Sequence, residues 1–277
     1  MKRGAARVLR LLGLLEAGRR TELRIRMGQP RALPDAVILG AMKSGTTSLH
    51  NYLVQHPGVI EPLRKEVHYF DLNFGRGESW YRANFGRAGQ GGVNIDSSPY
   101  YLFHPQVPQR AHDLVPHAKL IVLLRDPVRR AYSHYWHERD KGREPLSFAD
   151  AIAAEPDRIE RDHERLALGE IECSEAHQYF SYLARSRYAE QLERWLRVYP
   201  REQLLVLRFE DLAKDPLPVL NRSLACLGLP AMQGAKLEPR HTRRYPPIET
   251  VTAERLRDYF APHNAALEAL LGERMRW

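Results

Sequence analysis

The chain has 277 residues, 43% hydrophobic and 27% charged, the proportions of a soluble globular protein able to bury one α/β core or two small ones. Lys and Arg number 42 against 34 Asp and Glu, a net charge of +8 that either clothes the surface in arginine or draws polyanionic ligands; no helix-turn-helix, zinc-finger spacing or aromatic-basic RNA motif accompanies it, so nucleic acid is not the expected partner. Two lone cysteines, Cys173 and Cys226, exclude a disulfide framework and suit a reducing compartment, and no Cys/His spacing marks a metal site.

At the N-terminus Lys2, Arg3, Arg7 and Arg10 surround a Leu-rich run at 8–15. It resembles a secretion signal only faintly. Arg10 interrupts it, Glu16 ends it, and it falls far short of the roughly 20 apolar residues of a membrane span. Residues 1–34 are expected to form a basic helical extension that packs on the domain, with peripheral contact to a membrane surface as the alternative. From residue 35 short apolar runs alternate with helical patterns. Strands are expected at 35–39, 93–95, 119–124 and 203–209. The run Leu-Ile-Val-Leu-Leu at 120–124 suits a strand buried on both faces of a parallel sheet. Helices are expected at 45–55, 106–114, 127–139, after a capping box at Ser147-x-x-Asp150, and at 178–199, 216–227 and 252–271. Residues 155–175 read as a charged loop or exposed helix. The alternation predicts one α/β domain, 35–277, with a central parallel sheet flanked by helices.

The first strand runs into Gly40-Ala-Met-Lys43-Ser44-Gly45-Thr46-Thr47-Ser48. A strand, a small-residue loop and a helix start build a P-loop-like oxyanion cradle: backbone N–H groups and the helix dipole supply partial charge, Lys43 a full charge, and the hydroxyls further donors. It is not a Walker A loop, because Thr46 stands where that motif has its lysine. After the strongest strand comes Arg125-Asp-Pro, with Ser133 eight residues beyond Arg125. An arginine fork and a hydroxyl brought together this way hold a second phosphate. Asp126 reads first as a helix cap, and Arg129 and Arg130 as solvated helix charges. In Lys65-Glu66-Val-His68-Tyr-Phe-Asp71, residues 66 and 68 point to one side if the stretch is extended, either as base candidates or as surface decoration. Arg243 and Arg244 lie in a late basic loop.

In combination these segments resemble the sulfotransferases that use 3′-phosphoadenosine 5′-phosphosulfate (PAPS), nearest the heparan sulfate glucosaminyl (3-O/N-) branch and its bacterial relatives, from about residue 35 to Trp277. The resemblance implies that Lys43, Ser44, Gly45, Thr46, Thr47 and Ser48 grip the 5′-phosphosulfate. It implies that Arg125 and Ser133 grip the 3′-phosphate and that the segment of Arg243 and Arg244 closes over the nucleotide. Glu66 matches the general base, and His68 and Asp71 its neighbours at the acceptor site. Ser97 stands in Asp96-Ser-Ser-Pro where that branch tends to carry an acceptor-facing lysine, and its cysteine pair is not evident. The implied activity is in-line sulfuryl transfer to a hydroxyl or amine of a carbohydrate, glycolipid or secondary metabolite, without a metal, with PAP as product, in the cytoplasm. A P-loop-type small-molecule kinase and a non-catalytic anion- or heparin-binding module are the rival readings.

Overall fold

The computed structural model describes residues 2–234, 236–238 and 245–277, with side chains described at 13 and from 15 onward. Five strands, β1 (Ala36–Gly40), β2 (Val59–Ile60), β3 (Val93–Ser97), β4 (Lys119–Leu124) and β5 (Leu204–Arg208), form one all-parallel sheet in the order β2-β3-β1-β4-β5. The helices among the described residues are α1 (Lys2–Arg26), α2 (Thr46–Leu53), α3 (Tyr69–Leu72), α4 (Glu78–Arg82), α5 (Val107–Leu114), α6 (Pro127–Asp140), α7 (Phe148–Ala153), α8 (Glu155–Leu168), α9 (Glu175–Tyr179), α10 (Tyr188–Leu196), α11 (Phe209–Lys214), α12 (Pro216–Cys226) and α13 (Thr250–Leu271).

The side-chain period of two divides each strand between two cores. Val37 and Leu39 of β1 and Leu120, Val122 and Leu124 of β4 pack with Val107, Leu192 and Trp195 on one face. Ala36, Ile38, Ile121 and Leu123 pack with Leu49, Leu53, Leu220 and Leu224 on the other. Both faces are covered, which is why these strands read as continuous apolar runs.

Two expectations change, and the choice of loop or exposed helix at 155–175 resolves. β2 was not expected; its two residues give too short an apolar run to register, and β3 alone pairs with it. Residues 155–175 are largely helix, α8 capped by Gly169 in the left-handed conformation and α9 by the Ser174 hydroxyl. The expected helix at 178–199 exists only as α10. Ahead of it the backbone makes a 3₁₀ turn at Ala184–Ser186, where the Glu155 carboxylate accepts from the amides of Leu183 (2.6 Å) and Ala184 (2.7 Å) in place of helical bonds. Two details follow the sequence closely. Ser147 caps α7 by accepting from Asp150 N–H, and Asp126 caps α6 by accepting from Arg129 N–H at 2.9 Å. Asn221, which opens a glycosylation-like triplet, instead clasps Met232 through both backbone groups. No helix among the described residues is long and apolar enough to cross a membrane.

Candidate active site

The loop after β1 leaves the sheet at its centre, where the chain's connections change sides, the position at which open parallel sheets bind ligands. Gly40 and Gly45 bracket it with positive φ of 151° and 86°. Gly45, which has no side chain to cap with, is the N-cap of α2. A Cβ on Gly45 would stand 2.9 Å from Phe209 Cδ2, so the backbone lies against the aromatic ring as only glycine allows. The first intrahelical bond runs from Leu49 N–H to Gly45 O at 3.1 Å, which leaves the amides of the first turn ahead of it directed out of the helix start. Lys43 itself sits at φ 71°.

Three arginines hold this loop from behind. Arg125, at the end of β4, donates to Lys43 O at 3.0 Å and lies 4.6 Å over the Phe209 ring. Arg130 of α6 donates to Met42 O at 3.4 Å, to Ser186 Oγ at 2.6 Å and to Tyr182 O. Arg185 reaches Met42 Sδ at 3.0 Å, with Ser181 Oγ at 2.8 Å and Gln178 O at 2.7 Å as further acceptors. In a trans peptide the carbonyl and the next amide point opposite ways. Anchoring the Met42 carbonyl in the core therefore turns the Lys43 N–H away from it. Arg130 is fully buried, not solvated as its sequence position suggested, and burial lowers its pKa to about 10. Arg130 and Arg185 bond neutral acceptors, so both bring charge to the loop that no bonded carboxylate among the described residues offsets. Only the spacing of Arg130 with His134 on the inward face of α6, four residues apart, hinted at this.

Two buried polar atoms at the loop have no partner among the described residues: the Ser44 hydroxyl and Arg125 Nε. Buried orphan donors next to a helix start fit an anionic ligand. Ser133, in the second turn of α6, is buried, as are Thr46 and Ser48. Arg243 and Arg244 lie outside the described residues. The chain beyond them returns at Tyr245, which packs edge-on against Tyr132 of α6, while Tyr132 Oη donates to Pro246 O at 3.0 Å.

On the β3 side the Glu66–His68 stretch is not extended. His68 adopts φ 53° and starts α3, and the turn itself brings the residues together. His68 Nδ1 meets Asp71 Oδ2 at 2.8 Å and Nε2 meets Glu66 Oε2 at 3.5 Å, while Lys65 Nζ donates to Glu66 Oε1 at 2.7 Å. Burial alone would discharge His68; the buried Asp71 carboxylate, and then Glu66, overcome it and push the imidazole up to about 10. Burial likewise opposes the charge on Glu66, yet the bonds from His68 and Lys65 hold its pKa well below the carboxylate range. Glu66 is thus ionised at neutral pH, and its side chain keeps 37% of its surface in solvent. Ser97, the last residue of β3, is fully buried with its hydroxyl unpaired among the described residues.

A model of the sulfotransferase domain matches residues 33–243. Among curated proteins, the membrane-associated sulfotransferase kil1 of Dictyostelium discoideum is 28% identical over 320 residues, covering 90% of this chain and 68% of its own. The mouse heparan sulfate glucosamine 3-O-sulfotransferase 6 is 29% identical over 271 residues, covering 89% and 74%. Among solved structures, a sulfotransferase from Alicyclobacillus acidocaldarius is 34% identical and superposes with a TM-score of 0.70 over 88% of this chain and 98% of that one. With a glycine-capped helix start at the centre of its sheet and this match over residues 33–243, the chain belongs to the sulfotransferase family and is an enzyme of sulfuryl transfer.

Proposed function

We propose that the sulfuryl donor is PAPS and that the acceptor is a hydroxyl or amine of a carbohydrate, glycolipid or secondary metabolite. The observation that carries the donor assignment is the pair of buried donors without partners among the described residues, Ser44 Oγ and Arg125 Nε, beside a helix start whose N-cap is glycine. When bound, PAPS supplies an activated sulfuryl group and a phosphate leaving group. Lys43, Ser44 and the amides at the start of α2 would hold that leaving phosphate and stabilise the charge developing on it. Arg125 and Ser133 would hold the 3′-phosphate, and Arg243 and Arg244 would cover the nucleotide. Glu66 takes the acceptor proton at a carboxylate oxygen. The contacts with Lys65 and His68 that keep it ionised also weaken it as a base, so an acceptor that displaces Lys65 from Oε1 sharpens it. Asp71 and Ser97 complete the acceptor side in this reading.

The similarity to an enzyme named for heparan sulfate glucosamine supports a carbohydrate acceptor. The free Cys173 and Cys226 support a cytoplasmic setting. The exposed Leu15, Leu23 and Met27 of the N-terminal segment, among Arg19, Arg20 and Arg26, support peripheral contact with a membrane.

PAP should raise the melting temperature well above the shift given by ATP with Mg²⁺. Equal shifts would restore the kinase reading. In the same assay Glu66→Gln should bind PAP as the parent does, while transfer from labelled PAPS across an acceptor panel of glycans, glycolipids and phenols falls about 10²-fold or more. A large loss of PAP affinity would make Glu66 structural.

A further inference from the structure

Asp96 lies one strand away from the donor loop, in register with Val37 of β1, and is fully buried. Its carboxylate accepts three hydroxyl hydrogen bonds, from Ser98 on Oδ1 and from Tyr81 and Tyr101 on Oδ2, each 2.9 Å. Two of those hydroxyls are already acceptors. Ser98 Oγ accepts from the His68 amide at 3.0 Å, and Tyr101 Oη accepts from the Tyr69 amide at 2.7 Å. A hydroxyl has one hydrogen to give, so the polarity of both chains is fixed: amide to hydroxyl oxygen, hydroxyl hydrogen to carboxylate. Consecutive amides at the left-handed turn are thereby tied to the two oxygens of one ionised carboxylate. Asn at 96 would present an amide N–H₂ to one set of hydroxyl donors and break the pattern.

We propose that Asp96 is a positioning residue that acts through Ser98 and Tyr101 to hold the His68 turn, and with it the Glu66 carboxylate, facing the donor loop. This rests on the reading of Glu66 as the base. It adds that the turn's unfavourable backbone geometry is maintained from the sheet as well as by the local contacts of Asp71 and Asn73: His68 is a non-glycine residue at φ 53°, a conformation that persists where its surroundings over-determine it. Burial pushes Asp96 up to about 6 despite the opposing bonds from Ser98, Tyr101 and Tyr81 and the charge of His68, which leaves the carboxylate ionised at neutral pH. The coupling runs along β3 into the pairing with β1, so base and donor loop share one rigid frame.

The decisive comparison is Ser98→Thr against Ser98→Val, which add the same bulk and differ in the hydroxyl. Ser98→Thr should keep turnover within about threefold, while Ser98→Val loses kcat at least tenfold with the KM for PAPS unchanged. Amide hydrogen exchange at His68 and Tyr69 should accelerate in Ser98→Val only. Equal kcat and equal exchange in the two variants would overturn the proposal. Tyr101→Phe, which removes one oxygen, is the second test: it should speed exchange at Tyr69 and lower kcat with PAP binding retained, and unchanged exchange there would also overturn it. Exchange reads the turn directly. If Glu66→Gln keeps full turnover while Ser98→Val still accelerates exchange, the assignment of the base fails and the anchoring by Asp96 stands.

Discussion

Lys43 occupies φ 71°, where a side chain costs about 1–2 kcal/mol relative to glycine. The loop holds it there by anchoring the carbonyls on both sides, Met42 O to Arg130 and Lys43 O to Arg125. Strain at a residue assigned to catalysis separates stability from function. Lys43→Ala and Lys43→Gly should both lose transfer from labelled PAPS, while chemical denaturation finds the glycine variant the more stable of the two by about 1 kcal/mol. Retained transfer in either would remove Lys43 from the mechanism. The glycines and the lysine of this loop were legible in the sequence because their spacing is local. Arg130 was not: its role depends on Ser186 and Tyr182, more than fifty positions away, and in a helix segment rich in arginine only its four-residue spacing from His134 marks which cation turns inward. The Asp96 carboxylate was hidden for the same reason, since its partners Tyr81, Ser98 and Tyr101 meet only once β3 is in place.

Elements explain which boundaries were readable. β4 and β5 were legible because burial on both faces demands unbroken apolar runs. The start of α10 was not, because Glu155, from another helix, caps the backbone at Leu183 and Ala184 and the local pattern of Tyr188, Leu192 and Trp195 continues backward into it by chance. The contact between α2 and α11 is the sharpest at this scale. Gly45 starts α2 at φ 86° with Phe209 of α11 directly against it, and the same ring carries the Arg125 guanidinium. Gly45→Ala should cost about 1–3 kcal/mol of stability, read by urea unfolding, and should weaken PAP binding because the ring must shift under Arg125. A stable variant with parent-like PAP affinity would mean that loop and helix are not coupled through Phe209.

At the scale of the whole molecule, stability should depend on pH through the acceptor-side cluster. His68 rises from an ordinary 6.5 to about 10 in the folded chain, so its charged form stabilises the fold fully below pH 6.5, and that contribution drains away as pH climbs towards 10. Melting temperature should therefore fall across that window, and His68→Gln should flatten the decline; an equally steep decline in the variant would place the titrating group elsewhere. One parallel sheet carries all of this, and its strand order separates two kinds of freedom. β3 stands between β2 and β1, so the excursion at 73–92 hangs from the rim of the sheet, while the 41–45 loop and Arg125 hang from its middle. Within that excursion Trp80, Tyr81 and Phe85 are buried and Tyr81 donates to Asp96, so the exchangeable front is confined to the exposed stretches 74–79 and 87–92, where new partners can be recruited without rebuilding the machinery behind them.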